Sequence, residues 1–356
     1  MNSVIKKIGY FEKWVAPVAM DILGARQDIA LRRLSYNDSE DHTWRAMSEL
    51  HGYQISPRGE LKEPWFANSA LIERCPNLLA ITSTGSGYDM IDVEACTAAG
   101  IIVCSQTGSN RISVAEHAMG LALGLVKGIA RVDRAIRRDP GLNRFDWVGD
   151  DLQGKVVGIV GLGEIGTQMG RLCTAFGTTL IAYDPYLSSA QIMARGARKV
   201  TLEELLAQSD VVSVHCPRNQ ETLGMFGAHE FAAMKSTAYF VSTARGGIHD
   251  EQALAQALEH RGIAGAGVDV FVQEPPALDC ALLHADNVIA TPHTAGLSKT
   301  AVTMMARFAA EQWVDIFSGT VPPRLINPEA WPTYRGRFKC LLGFEPAQLD
   351  GESTAG

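Results

Sequence analysis

The chain has 356 residues, of which 46% are hydrophobic and 20% charged, with a formal net charge of −7. That length and balance describe a globular chain of about two domains with real cores. The acidic excess argues against a nucleic-acid partner and for small-molecule chemistry.

No apolar run approaches the roughly 18 residues needed to span a bilayer. The opening MNSVIKKIGYFEKWVAPVAM reaches Glu12 and Lys13 without a signal-peptide core. Cys75, Cys96, Cys104, Cys173, Cys216, Cys280 and Cys340 stand singly, with no C-x-x-C pair. They read as small buried hydrophobes in a reducing, cytoplasmic setting, not as a disulfide frame or a metal site.

In chain order, IKKIGYF, LLAITST and IIVC read as strands with helical stretches between them, a small α/β unit. Next comes SVAEHAMGLALGLVKGIARVDRAIRRD, with Ser113 and Glu116 spaced as a capping box. Val114, Ala118, Leu121, Leu125, Ile129, Val132 and Ile136 recur every three or four residues, predicting one long amphipathic helix. Arg131, Arg134, Arg137 and Arg138 would form its solvated face. Its apolar surface exceeds what one small domain needs and suits a twofold homodimer.

From Val156 onward, VVGIV, TLIAY, VVSVH, AYFVS, AGVDVF and NVIAT alternate with helical segments. Apolar runs without alternation, each followed by a helix, predict parallel strands buried on both faces. The six fit a doubly wound dinucleotide-binding domain. Between them, Thr201 and Glu204 form a capping box, and Asp250 opens a helix that stops near Gly262. The last long helix, KTAVTMMARFAAEQWVDIFSG, would cross back to the first unit. The predicted division is a discontinuous substrate domain of residues 1–107 and 298–335, a dinucleotide domain of 108–297, and a tail of 336–356 ending in a disordered DGESTAG. Gly108 and Gly296 lie where the chain crosses and suit hinges.

Gly161-x-Gly163-x-x-Gly166 follows the first strand of the larger sheet and opens a helix. The first glycine permits the tight turn, the second lets backbone approach a pyrophosphate, and the third lets helix and strand pack closely. Asp184 ends the next strand, placed to accept hydrogen bonds from a ribose diol and to repel a 2′-phosphate. No basic residue lies nearer on its C-terminal side than Arg195, so the pattern predicts NAD over NADP.

Three later stretches, STARGG, VDVFVQEPP and ATPHTAG, each follow a predicted strand of that sheet. Ligands bind beyond the carboxyl ends of parallel strands, so Arg245, Glu274 and His293 are expected in one crevice. A guanidinium fork can grip a carboxylate and polarise the adjacent carbonyl. An imidazole can move the proton, and a carboxylate on its other nitrogen orients it and favours its charged form.

In these stretches the chain resembles the D-isomer-specific 2-hydroxyacid dehydrogenase family. Over roughly residues 75 to 330, SGYDMID, GIIVCSQTGSNRISVAEHAMGL, VGIVGLGEIG, YDPY, HCPRNQET, STARGG, VDVFVQEP and TPHTAG follow its pattern in order. The resemblance implies two doubly wound parallel-sheet domains, one Rossmann and one smaller and flavodoxin-like. It also implies the catalytic set Arg245, Glu274 and His293, and a substrate-binding loop at Thr84, Ser86 and Gly87, where many members carry valine in place of Ser86. Implied cofactor contacts are Glu164, Ile165, His215, Cys216, Thr222, Thr243 and Gly296, with Asp269 holding the nicotinamide carboxamide.

The expected reaction interconverts a small 2-oxo acid and its D-2-hydroxy acid. The alternatives are a 3-phosphoglycerate dehydrogenase-like enzyme and an NADH-sensing binding protein like the family's co-repressors. Formate oxidation fits less well, because Glu274 stands where that branch typically has glutamine.

Overall fold

The computed structural model describes residues 4–56 and 60–349. The chain divides into two compact units, one running to Asn110 and resuming at Lys299, the other Arg111–Ser298.

The first unit is built on five parallel strands: β1 (Lys6–Phe11), β2 (Ile29–Leu34), β3 (Gly52–Ile55), β4 (Ala80–Ser83) and β5 (Ile102–Cys104). They are ordered β2-β1-β3-β4-β5. The apolar runs of the sequence predict β1, β4 and β5 but not the other two. β2 is an edge strand whose two arginines face water, so its apolar signal is diluted. β3 has four residues, among them Gln54, a poor strand former. Buried, Gln54 accepts hydrogen bonds from Thr82 Oγ1 and from Trp313 Nε1 (2.9 Å) and donates to Thr84 Oγ1 (3.0 Å).

One face of this sheet is covered by the helices Lys299–Phe317 and Trp331–Leu342, which share a core with Ile8, Leu23 and Ile102. The second helix corrects the expected tail of 336–356. Trp331, Tyr334, Phe338 and Leu342 recur at helical spacing and are buried, a stripe masked in the sequence by Arg335, Arg337 and Lys339. The stretch DGESTAG lies outside the described residues.

The second unit carries seven parallel strands: β6 (Val156–Val160), β7 (Thr179–Tyr183), β8 (Arg198–Lys199), β9 (Val211–Val214), β10 (Tyr239–Ser242), β11 (Gly265–Val268) and β12 (Val288–Ala290). Their order is β12-β11-β10-β9-β6-β7-β8. The two-residue edge strand β8 adds to the six expected. Thr201 and Glu204 form the expected capping box, and Asp250 caps its helix by accepting from Gln252 and Ala253.

The predicted single helix from Ser113 is instead two, Arg111–Val126 and Ile129–Arg138, bent by 57°. Gly128 breaks it in left-handed backbone at φ +67. The first helix packs Ala115, Ala118, Leu121 and Ala122 into the unit's core, whereas the second buries nothing. Because the first begins at Arg111, Ser113 lies inside its first turn and no capping box forms there. Among the described residues no single helix is long and apolar enough to cross a membrane. All seven cysteines are free, and burial pushes the thiols of Cys75, Cys96 and Cys173 up to about 12.

Candidate active site

The turn after β6 shows why its glycines are required. Gly161 has φ +86, and a Cβ there would come 2.7 Å from the Cys216 backbone nitrogen. A Cβ on Gly166 would come 2.1 Å from the Gly161 carbonyl oxygen. Gly163, by contrast, faces open space. It begins the helix Glu164–Ala175 with no side-chain cap, so the first-turn amides, including those of Glu164, Ile165 and Gly166, are available to an anion. The Glu164 side chain itself pairs with Arg111 at 3.6 Å.

Asp184, just beyond β7, braces this turn by accepting from the Leu162 amide (3.0 Å) and from the Tyr186 amide (3.1 Å). The Arg195 guanidinium donates to the Leu162 carbonyl. Beyond β9, burial lowers His215 to about 4, so its ring is neutral at physiological pH. Its Nε2 bonds Ser213 Oγ at 2.8 Å, while Nδ1 is buried without a partner. Thr243 Oγ1 is likewise buried and unpartnered, beyond β10. Orphaned polar atoms and an open Gly163 fit a bound dinucleotide. The Thr222 hydroxyl is engaged within its own turn, donating to Pro217 O at 2.7 Å and accepting from the Asn219 amide at 2.9 Å.

Arg245, Glu274 and His293 follow β10, β11 and β12, three neighbouring strands. His293 Nδ1 and Glu274 Oε2 are 2.8 Å apart, and the other Glu274 oxygen accepts from the Phe271 amide at 3.1 Å. Burial raises the Glu274 pKa, but the hydrogen bond and charge of His293, the Phe271 amide and the nearby Arg245 charge outweigh it. The net direction is down. The Arg245 and Glu274 turns are pressed together at Gly246, where a Cβ would come 1.9 Å from Phe271 O. Arg245 Nη1 donates to Ala244 O at 2.8 Å.

His293 itself occupies left-handed backbone, φ +56, with its amide donating to Asp269 O at 2.7 Å. Asp269 is fully buried. Its carboxylate accepts from Thr291 Oγ1 (2.6 Å) and from the amides of Thr294 and Ala295 (each 2.9 Å). Both oxygens therefore hold the histidine's own loop, a role the sequence did not suggest. Gly296 falls in the Thr294–Leu297 turn that ends this loop.

In the first unit, the loop after β4 is also prearranged. Thr84 Oγ1 donates to Ile55 O at 2.8 Å, and Gly85, at φ +84, exchanges hydrogen bonds with Gln106. Ser86 Oγ donates to Asn110 Oδ1 at 3.2 Å, and Gly87 follows, partly exposed. Nothing in the sequence pointed to a role at the site for Gln106, Ser113, His117 or Thr291. The i,i+4 spacing of Ser113 and His117 was the one local signal that could have found any of them.

Residues 119–295 match the NAD-binding domain of the D-isomer specific 2-hydroxyacid dehydrogenases. A glyoxylate reductase of Korarchaeum cryptofilum is 36% identical over 267 residues, 74% of this chain and 80% of that protein. A D-3-phosphoglycerate dehydrogenase of Archaeoglobus fulgidus is 37% identical over 260 residues, 73% of this chain but 49% of the relative, so the chain spans about half that protein's length. Among solved structures, a glyoxylate reductase from Paecilomyes thermophila is similar at 27% identity and a TM-score of 0.80, covering 92% of this chain and 99% of that one. Together with the glycine turn and the three strand-end residues, these likenesses place the chain in the D-isomer-specific 2-hydroxyacid dehydrogenase family.

Proposed function

We propose that the protein is an NAD-dependent oxidoreductase that interconverts a small 2-oxo acid and its D-2-hydroxy acid. The observation that carries this is the 2.8 Å His293–Glu274 pair beside Arg245, at the carboxyl ends of adjacent strands. Glu274 accepts at Nδ1, which leaves His293 Nε2 as the nitrogen that gives a proton to the nascent alkoxide and recovers it in oxidation. Arg245 binds the substrate carboxylate and polarises its carbonyl. Thr84, Ser86 and Gly87 contribute to substrate binding. NADH, when bound, supplies the hydride. Gly163 and the first turn of its helix would hold the pyrophosphate, Asp184 the ribose diol, and His215, Cys216 and Thr243 would line the remainder. NAD is favoured over NADP because Asp184 is acidic and Arg195 is engaged with the Leu162 carbonyl.

His293→Ala should lower turnover by ~10²–10⁴-fold while NADH affinity stays near that of the unaltered protein. Near-normal turnover would remove the acid/base assignment. Glyoxylate, hydroxypyruvate, pyruvate, phenylpyruvate and 3-phosphohydroxypyruvate, each with NADH and NADPH, separate the substrate classes. The phosphorylated acid tests the reading favoured by the phosphoglycerate dehydrogenase relative. Tight NADH binding without turnover on any of them would make the protein a sensor.

The same reading includes a homodimer. The helix Ile129–Arg138 buries nothing, and Ile129, Ile136, Phe145 and Val148 are exposed on and after it. That apolar surface suits a second copy. Sedimentation showing only monomer at micromolar concentration would exclude it.

A further inference from the structure

The loop carrying His293 is gripped from a helix that the reaction does not otherwise use. Ser113 and His117, four residues apart, lie on one face of Arg111–Val126. Ser113 Oγ donates to Ala295 O at 2.7 Å, and His117 Nε2 lies 2.9 Å from Thr291 Oγ1. These contacts bracket His293 on both sides.

The proton directions in this network are fixed by its end. Asp269 offers only oxygens, so Thr291 Oγ1 donates to it at 2.6 Å and must accept from His117, whose Nε2 therefore carries hydrogen. His117 Nε2 also comes within 3.7 Å of Asp269 Oδ1. A fully buried carboxylate requires several such partners, and the amides of Thr294 and Ala295 are two of the others. His293 needs this frame, because left-handed backbone at a non-glycine residue is strained and persists only where the surroundings overdetermine it.

We infer that His117, through Thr291 and Asp269, and Ser113, through Ala295, are positioning residues that fix the His293 loop. The inference rests on the reading of His293 as the acid/base, and its test includes a readout independent of turnover. In the full-length protein, His117→Ala should lower kcat on the order of 10- to 100-fold, since small misplacements of a reacting group have effects of that size. The Kd for NADH, read by fluorescence, should change little. Amide hydrogen exchange in the peptide covering Thr291–Leu297 should accelerate. His117→Gln, which keeps a donor, should recover most of both effects. Thr291→Val, which keeps the shape and removes the bridge, should reproduce the loss, and it serves if His117→Ala does not fold.

Unchanged exchange and kcat in His117→Ala or Thr291→Val would overturn the inference. Equal losses in His117→Ala and His117→Gln would assign His117 to packing and overturn it too. The two readings fail separately. Normal turnover in His293→Ala removes the acid/base role while the exchange data still decide the loop's frame. An inactive His293→Ala beside a normal His117→Ala removes only the positioning role.

Discussion

At His293 the backbone and the side chain are held by different partners: the amide by Asp269 O, the ring by Glu274. Glu274 is the more informative of these for pH. Its pKa is lowered on balance, with His293 the foremost opponent of burial. A depressed carboxylate contributes stability at pH above its ordinary range and loses it as pH falls through the folded-state value. Glu274→Gln should therefore be less stable than the unaltered protein at neutral pH, the gap closing as pH falls, which thermal unfolding across pH would show. The placement of Arg245, Glu274 and His293 beyond neighbouring strands was legible in the sequence because each lies a few residues past an apolar run. The link from His117 to Thr291 was not: 174 residues separate them, and no local pattern joins a helix histidine to a turn threonine.

Among the elements, the glycine turn and its helix make a sharp comparison. Gly166→Ala places a methyl 2.1 Å from the Gly161 carbonyl, where backbone must shift. Both thermal stability and NADH affinity should fall. Gly163→Ala meets no protein atom within 4 Å, so its melting temperature should stay near that of the unaltered protein. Its NADH Kd should rise tenfold or more, about 1.4 kcal/mol, because the methyl occupies the side from which a pyrophosphate approaches. Calorimetry and fluorescence titration separate the two; equal melting losses would show that Gly163 is structural. Six of the seven strands of the second sheet could be read in advance because they are largely apolar and buried, whereas the edge strand β8 is Arg198–Lys199 and gives no such signal. The break at Gly128 could not, since glycine continues or ends a helix according to what packs beside it. The preceding helix has its apolar residues in a core, and the following one has none.

On the scale of the molecule, the first unit is composed from both ends of the chain. Helix Trp331–Leu342 closes a core begun by β1, and Phe338 is fully buried within it. Phe338→Ala should destabilise that unit by about 3–5 kcal/mol, as large-to-small changes in packed cores do. Chemical denaturation should show this unit unfolding earlier, and a loss under about 1 kcal/mol would mean the helix is dispensable. By itself the sequence determined the alternation of strands and helices, the dinucleotide turn, and that a guanidinium, a carboxylate and an imidazole follow three strands of one sheet. Those are local signals, set by burial on both strand faces and by the backbone freedom of glycine. Only the tertiary structure decided that Phe338 and Leu342 belong to a core, that Asp269 serves the histidine's loop, and that Ser113 and His117 bond to it. Burial and hydrogen-bond satisfaction depend on neighbours distant in the chain, and a side chain's partner is known only when the chain has closed around it.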